Sequence, residues 1–364
     1  MGPNLLINGR FLTRAMTGVD RVAAELVRAL AQVVAEDGHG LRIDIAVPRC
    51  TLRDEQIRAT LGLPGDSRIW RSARSGHLWE QLVLPAAAPG AVLLSLCNTG
   101  PVLRRRQVVL IHDAQVFDVP QSYSVGFRLG YRLLLPLLGR TVRWLATVSK
   151  FSAGRLQANG VGSGREFLVL PNGADHMGRL EADPDALTRF GLTSQGYFLA
   201  VGSLAPHKNL AMLAEAMRLR TTGSVPLALV GSVDEGVFSR ADDISIGGTR
   251  LLGRVSDGEL KALYRGARAL LLPSLTEGFG MSALEAMACG CPVVASTGGA
   301  IPEACGDAAL YCDPRRPQEW AECCDRLARE PETGAELSRK GRERERQFRW
   351  KANASRLLRH LAEG

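Results

Sequence analysis

The stretch PSLTEGFGMSALEAMACGCPVVAS, Pro273 to Ser296, sets two carboxylates, Glu277 and Glu285, eight residues apart on either side of a Gly-Phe-Gly turn. An apolar run, ARALLLPS (Ala267 to Ser274), leads into it and a second, CPVVAS (Cys291 to Ser296), closes it. Strand, loop, helix, strand is the reading, the repeating unit of a parallel sheet covered by helices. Gly278 and Gly280 let the backbone pass close to a ligand with no β-carbon in the way. A helix beginning near Met281 turns its unpaired N–H groups and positive dipole end toward the same space, which suits a phosphate. Eight residues inside one helix would not align two side chains at about 100° per residue, so the carboxylates converge only if Glu277 precedes the helix. The plainer reading makes Ser282 and Glu285 a capping box with Glu277 solvated. It leaves both glycines unexplained.

The same unit repeats along the chain. Continuous apolar runs occur at Leu5 to Asn8, Leu41 to Pro48, Ala91 to Leu96, Val108 to Asp113, Trp144 to Ser149 and Phe167 to Gly173. They resume at Tyr197 to Ser203, Pro226 to Ser232, Ala267 to Ser274, Cys291 to Ser296 and Ala308 to Cys312. Amphipathic helical patterns separate them, such as Val19 to Glu36 and Asn209 to Arg220. Runs without polar alternation imply strands buried on both faces. The length, 364 residues, exceeds what one core usually serves. The expected fold is α/β: two doubly wound, Rossmann-like domains facing each other across a cleft. The expected domains are 1–178, joined by the C-terminal helix 350–364, and 190–349, with the polar interval Leu180 to Gln195 as linker. In such sheets ligands bind beyond the carboxyl ends of the strands, where this chain carries polar and glycine-rich loops.

Composition excludes several classes. With 46% hydrophobic and 23% charged residues the chain is a folded globular protein. Its most apolar interval, Leu82 to Cys97, is too short to span a bilayer and is broken by Pro85 and Pro89. The amino terminus has no secretory pattern, so a cytoplasmic protein is expected. Eight cysteines form no Cys-x-x-Cys pair and six histidines are scattered, so neither a metal site nor a cofactor is expected. The net charge of +8 favours acidic partners. Nucleic acid is not among those expected, since aromatics are only 5% and none interleave with basic residues. The dinucleotide fingerprint, the P-loop and the nucleophile elbow are all absent.

Two further clusters carry charge at strand ends. Ser203 and Pro206-His207-Lys208-Asn209 follow the Tyr197 run, and Lys208 stands just before a helix, where its ammonium could reach a diphosphate. The alternative is a solvated lysine. Val255 opens VSDGEL, a loop and helix start that could wall a base pocket. His112 and Asp113 end a very apolar run, where a histidine is more often structural than catalytic.

Together these pieces resemble a family 4 glycosyltransferase, a retaining nucleotide-sugar enzyme of the GT-B fold. The resemblance runs through TGVDR (Thr17 to Arg21), LWEQLVLP (Leu78 to Pro85), His112-Asp113, TVSKFS, LPNGAD, VGSLAPHKN, LGRVSDGELKALYRGA and the opening stretch. By that resemblance Glu277 would hold a hydroxyl of the donor sugar and His112 would sit beside the transferred sugar, the pair forming the catalytic set. Gly278, Phe279, Gly280 and Met281 would touch sugar and phosphate, Glu285 the ribose, Lys208 the diphosphate, Gly18 the closing first loop and Val255 the base. Many relatives have arginine where this chain has Ser203. Arg10, Arg14 or Arg254 would then supply the missing cation. TGVDR and LWEQLVLP resemble polysaccharide mannosyltransferases, which makes GDP-mannose the first donor expected. A glycan or lipid-linked acceptor follows, with peripheral contact at an anionic membrane through Arg104 to Arg106 and the basic, apolar segment Val125 to Trp144. A nucleotide-sugar 2-epimerase of the same fold and a non-catalytic nucleotide-sugar binding protein are the alternatives.

Overall fold

The computed structural model describes residues 4–37, 40–222, 225–231 and 249–363. Ser232, the end of the expected Pro226 to Ser232 run, lies outside them. The chain divides into two compact units, Met1–Asn172 with Arg349–Gly364, and Gly173–Phe348.

In the first unit the strands are β1 (Leu5–Asn8), β2 (Ile43–Val47), β3 (Ile69–Arg71), β4 (Val92–Ser95), β5 (Gln107–Leu110), β6 (Trp144–Thr147) and β7 (Phe167–Val169). They lie in the order β3-β2-β1-β4-β5-β6-β7, every pair parallel. β1, β4, β5 and β6 are buried at every position, which is why their sequences show no alternation. β3 was not among the expected runs. It is an edge strand whose residues are half-buried to exposed, so no apolar run marks it. The helix Trp350–Glu363 packs on the helix Gly18–Asp37, with Lys351 Nζ 2.5 Å from Glu36. Asn353 Nδ2 also donates to the Pro171 carbonyl. The last fourteen described residues thereby return to the first unit.

The second unit holds β8 (Phe198–Val201), β9 (Leu227–Val230), β10 (Arg250–Gly253), β11 (Ala269–Leu272), β12 (Val293–Ser296) and β13 (Leu310–Cys312). Their order is β10-β9-β8-β11-β12-β13, again all parallel. The core on one face joins Phe198, Leu213, Leu271, Val294 and Trp320. β10, like β3, is a half-exposed edge strand that the apolar runs do not reveal. The strand order reverses between β8 and β11, and such a switch point is where doubly wound sheets open a crevice at their carboxyl ends.

The interval Leu180 to Gln195, expected as a linker, lies inside the second unit. Lys261 Nζ holds the carbonyls of Met177 and Leu180 at 2.8 and 2.7 Å, and Asp183 N donates to Gly258 O at 3.0 Å. Arg189 pairs with both Asp183 and Glu259. The acidic and basic residues that made the segment look like a solvated connector are those that fasten it.

Candidate functional site

At the β8/β11 switch point two loops meet. The loop after β8 runs through a short 3-10 turn, Pro206–Lys208, to Asn209, whose left-handed φ of 55° starts the helix Leu210–Leu219. The expected start of that helix at Asn209 is thus its cap. The loop after β11 runs from Pro273 to Gly280, which caps the helix Met281–Ala288 with φ 99°. Glycine tolerates that conformation where other residues are strained.

Lys208 Nζ donates to Glu277 Oε1 at 2.7 Å, and Ser274 Oγ donates to the same oxygen at 2.6 Å. Burial by itself would push the Glu277 carboxyl up. Lys208 and Ser274 outweigh it and hold the group below the usual carboxylate range. The adjacent His207 is pushed down to about 4, chiefly by burial and then by the Lys208 charge, so its imidazole is neutral at pH 7. A third loop, after β12, clamps the second. Ser296 Oγ donates to Ser274 O at 2.5 Å and Ala300 N to Glu277 O at 3.0 Å. A β-carbon on Gly299, at φ 68°, would fall 2.4 Å from Glu277 O.

No side chain caps the start of the helix Met281–Ala288, and the Ser282 to Glu285 capping box does not form. Glu285 is buried and engaged elsewhere. His176 Nε2 lies 3.2 Å from its Oε1, and Tyr264 Oη donates to its Oε2 at 3.2 Å. Burial first, then the Glu285 charge, raises the Tyr264 phenol well above its ordinary value, so it remains a donor. Phe279 is buried with its ring edge-on to Phe348 at 5.7 Å, leaving its backbone for any ligand contact. Ser203 is exposed and Val255 half-buried. Beside them Gly202, Leu204, Leu229, Val230, Gly231, Leu251 and Gly253 line a small depression at the ends of β8, β9 and β10.

The structure therefore joins Lys208 to Glu277 directly and sets Gly278, Phe279, Gly280 and Met281 in the loop and helix start that follow. Glu285 is four residues into that helix. Sequence reasoning missed Ser274, Ser296, Gly299, His176 and Tyr264. The Ser296-Thr297-Gly298-Gly299 sequence at a strand end was a signal that could have found the clamp.

His112 and Gly18 belong to the first unit. His112 is buried just past β5, its Nε2 2.8 Å from Leu96 O and its backbone N–H on Asn98 Oδ1 at 2.7 Å. Burial pushes it down to about 4, so it too is neutral at pH 7. Gly18 is the exposed first residue of its helix. Two of the three arginines considered for the missing cation are engaged. Arg10 lies 3.3 Å from buried Glu80 and donates to Thr99 at 2.7 Å, while Arg14 pairs with Asp20 at 2.7 Å. Arg254, in the second unit, is exposed.

The helix Val125–Thr141 carries Val125, Leu129, Leu133 and Leu137 exposed at four-residue steps, with Arg132 and Arg140 also exposed. Among the described residues no helix is long and apolar enough to cross a membrane, and no group of His, Cys, Asp and Glu could hold a metal ion.

Comparison with known proteins bears on family and fold. Residues 190–344 match the family of glycosyl transferases group 1. The chain is 34% identical to an Escherichia coli O-antigen chain mannosyltransferase B over 57% of its own length and 58% of that enzyme's, so it spans about three fifths of that curated relative. It is 30% identical to a D-inositol 3-phosphate glycosyltransferase of Segniliparus rotundus over 95% of this chain and 78% of that one. The fold matches that of Anabaena HepE, crystallised with UDP and glucose, at a TM-score of 0.76 with 17% identity and full coverage of both chains. The two parallel sheets are the GT-B pair, and the chain belongs to the group 1 glycosyltransferases.

Proposed function

We propose that the protein transfers a sugar from a nucleoside diphosphate donor to an acceptor hydroxyl with retention at the anomeric carbon. The observation that carries this reading is the Lys208–Glu277 pair at a sheet switch point, beside a helix start that no side chain caps. An ammonium and the positive end of a helix suit a diphosphate, and an ionised carboxylate suits a sugar hydroxyl. In the reaction the anomeric C–O bond to the diphosphate breaks and the acceptor oxygen bonds the same face of the sugar. The acceptor proton passes to the departing diphosphate oxygen. Lys208 and the helix start stabilise the charge that develops there. Glu277 orients the sugar, Glu285 the ribose, and Val255 lies against the base. From the first unit, Gly18, at the helix start that follows the first loop, lets that loop close over the donor and His112, being neutral, serves the transferred sugar by hydrogen bonding.

GDP-mannose is the first donor, on the motif resemblance and the mannosyltransferase named among the relatives. UDP in the HepE crystals keeps a uridine donor as the competing outcome. The acceptor is a glycan or lipid-linked sugar of polysaccharide synthesis met at an anionic membrane surface, a reading supported by the exposed leucine stripe and arginines of Val125–Thr141. A panel of nucleotide sugars, scored by thermal shift and by nucleoside diphosphate release with and without acceptor, tests the reading. Release with one donor and an axial-to-axial or equatorial-to-equatorial product by NMR supports it. An inverted linkage, an epimerised donor, or binding without any turnover overturns it.

A further inference from the structure

At the far edge of the second unit's sheet Cys312 ends β13, and Cys323 faces it from the helix Pro317–Arg329. Their sulfurs are 3.2 Å apart. A disulfide bond measures about 2.05 Å, so closure needs a movement of only about 1 Å between a strand end and a helix. The two thiols are not equivalent. Cys312 is buried, its Sγ within reach of both Cys323 Sγ and, at 3.6 Å, the Glu319 carbonyl. Cys323 is half-exposed. The hydrogen bond from Cys312 holds Cys323 below the ordinary thiol value, and Arg326 one turn along the helix adds to it against the opposing effect of burial. The same contact, with burial, raises Cys312. Cys324, the neighbour of Cys323 in sequence, is fully buried in the core beside Leu213 and Trp320, and burial pushes its thiol up. One partly exposed cysteine whose thiol is shifted toward thiolate, beside one buried partner, is the arrangement of a peroxide-reactive thiol and its resolving thiol.

We propose that Cys312 and Cys323 are a reversible dithiol–disulfide pair that responds to hydrogen peroxide. The Cys323 thiolate attacks the outer peroxide oxygen, the O–O bond breaks, and the displaced hydroxide takes a proton to leave as water, giving Cys323 sulfenic acid. The Cys312 sulfur then attacks the sulfenic sulfur, its proton leaves with the hydroxyl as a second water, and the S–S bond forms. Two thiols are oxidised by two electrons and one peroxide is reduced to two waters. A dithiol reductant returns the pair by exchange. The bridge encloses Pro314, whose carbonyl accepts from Asn209 Nδ2 at 2.6 Å, and Asp313, whose carbonyl accepts from Trp320 Nε1 at 2.9 Å. Oxidation thereby fixes the segment against which Asn209, the residue after Lys208, is seated. The proposal does not depend on which reaction the protein catalyses.

The test uses the full chain, reduced and then exposed to hydrogen peroxide at pH 7.5, blocked with N-ethylmaleimide in denaturant so that buried thiols react too, and mapped by peptide mass spectrometry. The expected result is a Cys312–Cys323 cross-linked peptide, loss of two alkylatable thiols, recovery of both on dithiothreitol, and a melting temperature a few degrees higher in the oxidised form. In Cys312→Ser, Cys323 should stop at the sulfenic acid and be trapped by dimedone. Oxidation of Cys323 onward to sulfinic acid in the unaltered chain, a link to Cys324 instead of Cys312, or both thiols remaining alkylatable overturns the proposal. These readings come from the unaltered protein and stand even if the variant does not fold.

Discussion

Lys208 and Glu277 lie 69 residues apart in sequence and 2.7 Å apart in space, because the strands that precede them, β8 and β11, are neighbours at the point where the strand order reverses. Each neutralises the other. On the proposed reading, a diphosphate arriving at the ammonium would free Glu277 to accept from a sugar hydroxyl, so the pair would both preserve a buried carboxylate and present it to a ligand.

Removing one partner tests this. In Lys208→Ala the carboxylate of Glu277 stays buried without its counter-charge, which raises its pKa and destabilises the fold by about 2 kcal/mol, less than a fully buried pair because the lysine is partly exposed. Turnover of the donor should fall by about 100-fold, the loss expected for one electrostatic contact to a leaving group. Urea unfolding and initial rates measure the two effects separately. A variant that is merely less stable yet turns over donor normally would remove Lys208 from the site.

The histidines predict a loss of stability on the acid side. His112 and His207 both sit at about 4 when folded, against about 6.5 in an unfolded chain. A depressed histidine means that the unfolded chain binds the extra proton first. The contribution is therefore whole above about pH 6.5 and disappears as pH falls toward 4. Each amounts to about 1 kcal/mol by pH 5.5 and about 3 kcal/mol at pH 4. Glu277, held below the carboxylate range, contributes its own loss only below about pH 4.5. Stability measured by denaturant at pH 7.5, 6.5, 5.5 and 4.5 should fall with an increasing slope, and His207→Asn should flatten it. An equal slope in that variant would show that His207 takes up its proton alike in the folded and unfolded chains.

Glu285 and Ser282 separate two explanations of one helix start. Since no cap forms there, Ser282→Ala should change stability by no more than about 0.5 kcal/mol and leave the donor KM as it was. Glu285→Ala removes the acceptor of His176 and Tyr264 and the group assigned to the ribose, so the donor KM should rise about tenfold or more. The comparison is made on steady-state kinetics with circular dichroism melts of both. A large KM effect from Ser282→Ala together with none from Glu285→Ala would reverse the assignment.

How much of this was legible beforehand follows from burial. The strands with continuous apolar sequence were all readable, because a strand covered on both faces admits few polar residues. β3 and β10 were not, since an edge strand half in solvent carries the composition of a loop. The opening stretch revealed Glu277 and its helix because two glycines and a carboxylate at a strand end have few structural excuses. It could not reveal the partners of Glu285. His176 comes from a short 3-10 turn 109 residues earlier and Tyr264 from another helix, and neither spacing nor periodicity links residues that meet only in the folded chain. The segment Leu180 to Gln195 misled for the opposite reason, since its charges are largely exposed, as they read, yet Arg189 pairs with Asp183 and with Glu259 of a neighbouring helix.

Gly299 shows how far the site depends on the loop after β12. Any side chain there meets Glu277 O at 2.4 Å and Glu277 N at 2.5 Å from its β-carbon, at a φ of 68° that L-residues disfavour. Gly299→Ala is expected to cost about 2 kcal/mol or more through backbone strain and the displaced loop. Because the atoms it strikes belong to Glu277, donor turnover should fall further than stability predicts. Gly40→Ala, at a similar φ of 62° but with open space around it, isolates the cost of the dihedral alone. If both variants lose stability equally and neither loses turnover, the clamp has no part in the chemistry.

The exposed face of Val125–Thr141 makes the membrane reading quantitative. Leu129, Leu133 and Leu137 present their side chains to solvent along one stripe, with exposed Arg132 and Arg140 on the same helix. A helix of this kind lies in the plane of an interface, its apolar residues entering the acyl boundary and its guanidinium groups pairing with anionic headgroups. Each exposed leucine that enters the boundary contributes of the order of 1 kcal/mol or more, and each arginine near the surface about 1 kcal/mol. The protein should therefore float with phosphatidylglycerol-containing vesicles at low salt. Added salt should weaken the binding, and the triple variant Leu129→Gln, Leu133→Gln, Leu137→Gln should reduce it by at least tenfold without lowering the melting temperature, since none of the three side chains is packed in the core. Binding that survives this variant would move the contact to another face, and no binding to anionic vesicles at low salt would remove the membrane from the reading.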